Sequence, residues 1–289
     1  MARRVAVVTA SDSGYFRLLQ GLVLSLEAAD ADVDVCFLDL GCTPEQLAWV
    51  GTRAAGVVPA EWHFPEPAQR GEPAHRKSQT ARAFMRDYFP GYEVYLWLDS
   101  DTWVQDGASV ALYAEAARHS DIAICAEVHG RYDICRTMAN KHLREKHFWF
   151  AHYFGSEVAD RYCLRPMLNA GAFALSESSP YWEAYRDRLA EAMKAERMDY
   201  SDQMSLNLAV WRMGGEAILP ARHNWLCNSA FPMYDPAAKR LVDHYYPHEP
   251  LGIVHLAGPD KLGTFSDVTA MCTDGRRAKL NILYRSGNY

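Results

Sequence analysis

An α/β fold with a mostly parallel sheet is predicted by three observations on this 289-residue sequence. Short apolar runs alternate with stretches of helical period through the first half. Those runs are apolar at nearly every position rather than at every second one, as strands covered on both faces are. Apolar residues make up 49% of the chain, ample for a large core.

The elements are expected in this order. Arg4 to Ala10 (RVAVVTA) is a β-branched strand, and Tyr15 to Ala29 is a helix with Leu18, Leu19, Leu22, Val23 and Leu26 at helical spacing. Val33 to Leu38 is a second strand. Pro44 to Ala55 is a helix, with Thr43 as its N-cap and proline in its first turn. Gly56 to Trp62 is a third strand, 63–76 a loop, Lys77 to Tyr88 a helix and Glu93 to Leu98 a strand. Ser109 to His119 and Asp121 to Glu127 give another helix and strand. The second half is less regular: a helix within the aromatic and histidine-rich segment 129–165, a strand at Asn169 to Leu175 and a helix starting at Ser179-Pro180. The face of that helix is Trp182, Tyr185, Leu189 and Met193. Then come a helix at Ser201 to Met213, a loop region over 220–248 and a last strand at Leu251 to Leu256. No internal repeat or linker divides the chain.

The net charge of −6 and the lack of a Lys/Arg cluster argue against a nucleic-acid partner. Seven widely spaced cysteines without a CxxC argue against a disulfide framework or zinc knuckle, and fit a reducing cytoplasmic compartment. The six-residue apolar run near the N-terminus is too short for a signal peptide. No stretch approaches the roughly 20 apolar residues of a membrane span, so no transmembrane segment is expected; peripheral attachment stays open.

The sharpest motif is YLWLDSDTWV, residues 95–104, a strand that runs into Asp99 and Asp101. Ligands of open α/β sheets bind outside the carboxyl ends of strands. If the extended geometry persists, both carboxylates point to one side and reach one hard cation, Mg²⁺ or Mn²⁺. A solvated turn is the plain alternative. Three stretches favour the metal: TASDSGY after the first strand, NAGAF with small residues that admit a ligand close to the backbone, and HLAGPDK near the C-terminus. In the last, His255 is a possible metal ligand, and Lys261, beyond Gly258, can reach a diphosphate.

In this combination and order the chain resembles the GT-A glycosyltransferases, and most closely glycosyltransferase family 8. The matching elements are TASDSGY, Arg82 before the DxD, the DxD itself, Asn169-Ala170-Gly171, SDQMSLN at 201–207 and the HxxGxxK of His255 to Lys261. The family often has Pro-Trp after the lysine, where this chain has Leu262-Gly263. The resemblance implies a single GT-A domain over 1–289, with a nucleotide-binding half (1–127) and a sugar and acceptor half (128–289). It implies a Mn²⁺- or Mg²⁺-dependent hexosyltransferase acting with retention on a nucleotide-sugar donor, UDP-glucose or UDP-galactose. The acceptor would be a carbohydrate, a lipid-linked group or a protein. Asp99, Asp101 and His255 are then the metal ligands. Ala10, Asp12, Tyr15, Arg82, Ser100, Gly258 and Lys261 hold the nucleotide and diphosphate. Asn169, Ala170, Gly171, Asp202 and Gln203 surround the sugar, and Gln203 and Asp202 serve the reaction itself.

Each residue also has a plainer reading. His255 could end a strand, Asp202 could cap a helix, Arg82 could be solvated and Tyr15 could pack on its own helix. His142, His147 and His152 lack HExxH spacing, so a second metal site is not expected. The aromatics Phe148, Trp149, Phe150, Tyr153 and Phe154 read as core or interface, with some left to stack on an acceptor sugar. Three rival functions compete with the transferase, of which a sugar-nucleotide pyrophosphorylase would need a glycine-rich GxGxR loop that TASDSGY lacks. A haloacid-dehalogenase-type phosphatase would use the first Asp of DxD as nucleophile, but Trp103 stands where its motif has Thr or Val. A non-catalytic nucleotide-sugar binder with a decayed site conflicts with the intact acidic pair, His255 and Lys261.

Overall fold

The computed structural model describes residues 5–284. Arg4, counted in the first expected strand, lies outside them. Strand β1 (Val5–Ser11) is buried throughout and leads to helix α1 (Phe16–Ala28), which lays Leu19, Leu22, Val23 and Leu26 on the sheet. Strand β2 (Asp34–Asp39), helix α2 (Pro44–Gly51) and strand β3 (Gly56–Pro59) follow. Helix α2 starts as the sequence predicts. The Thr43 hydroxyl accepts from the Gln46 N–H, and the Gln46 side chain accepts from the Thr43 N–H, a reciprocal cap for two orphan donors.

Two expectations change in the next stretch. Segment 63–76 is not all loop: it holds a short helix α3 (Pro65–Gln69) and a 3₁₀ turn at Ala74–Arg76. The helix expected over 77–88 is broken into α4 (Lys77–Ala81), a 3₁₀ turn at Arg82–Phe84, and α5 (Met85–Tyr88). At the break the Arg186 Nε donates to the Ala83 carbonyl at 2.9 Å, a tertiary bond in place of a helical one.

Strand β4 (Val94–Leu98) is followed by a short strand β5 (Thr102–Val104), helix α6 (Gly107–Ser120) and strand β6 (Ile122–Ala126). The aromatic segment forms helices α7 (Ala139–Phe154) and α8 (Ser156–Tyr162). Strand β7 (Leu168–Ser176) and helices α9 (Tyr181–Ala192) and α10 (Ser201–Met213) come next. Trp182, Tyr185, Leu189 and Met193 are fully buried, as their spacing predicts. The region 220–248 is richer than a loop. After β8 (Ala217–Leu219) it carries β9 (Trp225–Leu226), β10 (Met233–Asp235) and β11 (Arg240–Val242). The strand expected last, over 251–256, is β12 (Ile253–His255), and it is not the last: a short helix α11 (Lys261–Thr264) and the hairpin of β13 (Val268–Met271) and β14 (Arg277–Leu280) follow it.

The main sheet has the order β3-β2-β1-β4-β7-β6-β8. Its pairs are parallel except those of β7, which runs against both β4 and β6. Alternation along the strands feeds two cores. Ala6, Val8, Tyr95, Trp97 and Phe173 face one, and Val5, Val7, Leu96, Leu98 and Ala174 face the other. Each large apolar side chain so buried stabilises the fold by roughly 1.5–3 kcal/mol before conformational entropy is counted. A second sheet, β5-β12-β9, is mixed and covers a third core around Trp103, Trp225, Val254 and Phe265. Among the described residues no helix is long and apolar enough to cross a membrane.

Candidate active site

Two pairings bring the motifs together. Because β7 is antiparallel to β4, its first residues lie beside the carboxyl end of β4: the Asp99 N–H donates to the Gly171 carbonyl at 2.8 Å. Because β12 pairs with β5, His255 sits opposite Thr102, and the Leu256 N–H donates to the Asp101 carbonyl at 2.9 Å. DSD, NAG and HLAGPDK therefore meet at one sheet edge.

The strand does not stay extended through the acidic pair. It ends at Leu98, and both the N–H and the hydroxyl of Thr102 donate to the Asp99 carbonyl, at 2.9 and 2.8 Å. A tight turn, rather than strand alternation, places the two carboxylates. Ligand atoms of Asp99, Asp101 and His255 all lie within 4.8 Å of one another. Among the described residues no other group of three or more His, Cys, Asp or Glu is placed to share an ion. His142, His147 and His152 do not converge; His147 pairs with Asp160 at 2.8 Å and His152 packs among Phe148, Trp149 and Tyr153.

The carboxylates are held from behind. Asp99 Oδ1 accepts from Trp97 Nε1 at 2.7 Å and from Arg82 Nη2 at 3.1 Å. Arg82 is 5% exposed. Its Nη1 lies 2.9 Å from Asp202 Oδ2 and 2.9 Å from the Ala170 carbonyl, its Nε donates to the Ser78 carbonyl at 3.2 Å, and its guanidinium stacks on Trp97 at 4.7 Å. Burial alone would lower the Arg82 pKa, but Asp99 and Asp202 outweigh it and raise it. Burial raises the Asp202 carboxyl above its ordinary value despite Arg82.

On the other carboxylate, Asp101 Oδ2 is 2.7 Å from Lys261 Nζ and Oδ1 is 3.5 Å from His255 Nε2. Burial pushes the Asp101 carboxyl up, yet the nearby His255 and Lys261 prevail and hold it well below the usual carboxylate range. Lys261 also lies over the Tyr15 ring at 4.7 Å, and the Tyr15 N–H donates to Asp12 Oδ1 at 3.0 Å. Gly171 leaves the room all this needs. A Cβ there would stand 2.4 Å from His255 Cε1 and 2.9 Å from Asp99 Oδ2.

These groups line one open cavity of about 650 Å³. Ala10, Asp12, Tyr15, Ser100, Gly258 and Lys261 lie around it with the acidic pair and His255; Arg82, Asn169, Gly171, Asp202 and Gln203 complete it. Gly258 has a φ of +107°, a bend that glycine makes without strain. Ala170 is the exception among the expected sugar-side residues. Alternation on β7 turns it into the core, and it contributes only its backbone, with its N–H donating to Gln203 Oε1 at 3.1 Å.

No family model matches this sequence, and no curated protein matches it. Solved structures do match. The galactosyltransferase LgtC, in complex with donor and acceptor sugar analogs, is 18% identical over 88% of this chain and 87% of its own, with a TM-score of 0.55. An active-site glutamine-to-glutamate mutant of LgtC matches at 15% identity over 88% of each chain, with a TM-score of 0.53. The glycosyltransferase GlyE of Streptococcus pneumoniae TIGR4 is 18% identical over 89% of this chain and 55% of its own, with a TM-score of 0.53. The chain has the GT-A fold.

Sequence reasoning missed two side chains of this site. Glu127, just beyond β6, accepts from Asn169 Nδ2 at 2.7 Å and from Gln203 Nε2 at 3.1 Å. Asn224 is 2% exposed, and its Oδ1 is 3.0 Å from His255 Nδ1. Glu127 carries the same signal as Asp99, an acid at the end of a buried strand. Asn224 carries none, since it sits in a stretch with no periodic pattern.

Proposed function

We propose that the protein is a metal-dependent glycosyltransferase that moves a hexose from a nucleoside-diphosphate sugar, UDP-glucose or UDP-galactose, to a carbohydrate, lipid-linked or protein acceptor, with retention. One observation carries this reading. The Asp99, Asp101 and His255 cluster, with Lys261 against it, faces the same cavity as Asn169, Asp202 and Gln203.

The donor set fits a small divalent ion: two carboxylates and one imidazole suit Mn²⁺, and Mg²⁺ through the oxygens. The cradle fits as well, because any side chain at residue 171 would fill it. Bound there, the ion would act as a Lewis acid toward the negative charge that grows on the departing diphosphate. Lys261, relieved of Asp101, turns its ammonium to the same phosphates as a point charge. Asp12 and Tyr15 lie at the nucleoside end of the cavity. On the sugar side, Arg82 keeps Asp202 in place and Asn169 offers hydrogen bonds to hydroxyls. The Gln203 amide is held at both ends, by the Ala170 N–H and by Glu127. That fixes a neutral dipole beside a reacting carbon that becomes oxocarbenium-like, where a mobile group would have to reorganise.

The test is a screen of nucleotide-sugar hydrolysis with Mn²⁺, alongside thermal shift with a nucleotide panel. One donor should be hydrolysed, and its nucleoside diphosphate should raise the melting temperature only with metal. If no donor is turned over and no nucleotide stabilises the protein, the proposal fails.

A further inference from the structure

A line of buried polar groups joins His255 to the sugar side of the cavity. His255 Nδ1 is 3.0 Å from Asn224 Oδ1, Asn224 Nδ2 donates to Asn169 Oδ1 at 2.9 Å, and Asn169 Nδ2 donates to Glu127 Oε1 at 2.7 Å. Glu127 Oε1 also receives the Gln203 amide. His255, Asn224 and Asn169 are 4%, 2% and 8% exposed, so water does not substitute freely between these three.

The direction of this line is forced by chemistry. A carboxylate oxygen accepts, so Asn169 must turn its NH₂ to Glu127 and its carbonyl to the far side. The Gly171 N–H, which donates to the same Asn169 oxygen at 3.0 Å, requires the same orientation. Asn224 must then aim its NH₂ at Asn169 and its carbonyl at His255. An amide oxygen facing Nδ1 leaves one neutral arrangement of the ring, with the proton on Nδ1 and the lone pair on Nε2. Nε2 is the atom that faces Asp101. Partners behind a ligating histidine commonly set its tautomer in this way.

We infer that Asn224 is a positioning residue: held by Asn169, with Glu127 and the Gly171 N–H as anchors, it fixes the His255 ring proton on Nδ1 and presents Nε2 to the cation. The inference rests on the proposed metal site for its purpose, but the tautomer itself can be read without metal.

The test is a long-range ¹H–¹⁵N correlation on metal-free, ¹⁵N-histidine-labelled protein, at a pH high enough for a neutral imidazole, together with Mn²⁺ titration calorimetry. Wild-type His255 should show the Nδ1–H form. Asn224→Leu removes the acceptor, so the proton should move to Nε2, where Asp101 can receive it, and Mn²⁺ affinity should fall about ten- to a hundredfold. Asn224→Asp keeps an acceptor at Nδ1 while losing the donor to Asn169, so it should retain the Nδ1–H form whatever its affinity. If Asn224→Leu does not fold, Asn224→Ala makes the same comparison. The inference is overturned if wild-type His255 carries its proton on Nε2, if removal of the acceptor leaves tautomer and affinity unchanged, or if Asn224→Asp shows the Nε2–H form. Wild-type protein that binds no Mn²⁺ would count against the proposed function, while the tautomer comparison would still decide the role of Asn224.

Discussion

The Lys261 ammonium lies 2.7 Å from Asp101 Oδ2, so the lysine holds the carboxylate that the proposed metal site would use. The lysine is a resident counterion for Asp101. In the proposed reaction it is also the group that meets the diphosphate.

Lys261→Met separates those roles. Without the ammonium, a cation approaches Asp101 free of like-charge repulsion, which at close range amounts to a few kcal/mol near a protein surface. Affinity for free Mn²⁺ should rise about tenfold or more, while affinity for the metal–nucleoside diphosphate should fall about tenfold or more through the lost charged contact. Calorimetry with Mn²⁺ alone and with Mn²⁺ plus UDP checks both. Weaker Mn²⁺ binding in the variant would show that Lys261 supports the site rather than competing for it.

Gly171→Ala tests the cradle. The new methyl meets His255, Asn169 and Asp99 at 2.4–2.9 Å. Moving them should cost about 1–3 kcal/mol of stability. The protein should still fold, with a lowered unfolding midpoint, and Mn²⁺-dependent stabilisation should vanish. Normal metal response in that variant would place the ion elsewhere.

Arg82→Met leaves Asp202, 7% exposed, without its partner, and strips Asp99 of one as well. Breaking a buried pair from one side typically destabilises by about 3–5 kcal/mol, and denaturant unfolding should show a loss of that order. Arg82→Lys should recover little of it, since one ammonium cannot span Asp99, Asp202 and two carbonyls. A lysine variant as stable as wild type would mean that this fork geometry is unimportant.

A half-buried histidine away from the site predicts acid sensitivity. His63 stacks on Phe84 with ring centroids 3.8 Å apart, and burial pushes its pKa down to about 4. The folded pKa lies below the unfolded value of about 6.5, so the unfolded chain binds the extra proton first. The stabilisation is complete above pH 6.5 and is lost as pH falls toward 4, on the order of 1 kcal/mol after solvent screening. His63→Phe should flatten stability over that window, as followed by denaturant midpoints between pH 7 and 4. An unchanged slope would sink the prediction.

Much of this was legible in the sequence because the signals are local. Strands between residues 5 and 98 announce themselves by apolar runs, Thr43 and Pro44 announce α2 by the chemistry of its first turn, and α9 follows from helical spacing. The acids at the end of β4 and the HLAGPDK stretch stand out by composition alone. What required the tertiary structure was long-range pairing. The reversed direction of β7 brings Asn169 and Gly171 to Asp99, and the β12–β5 register sets His255 against Asp101. Neither is written in local periodicity, because strand direction and neighbour are settled by which faces bury together. The same holds for Asn224, an ordinary polar residue in the linear chain that becomes specific only when burial removes water and leaves it one set of partners.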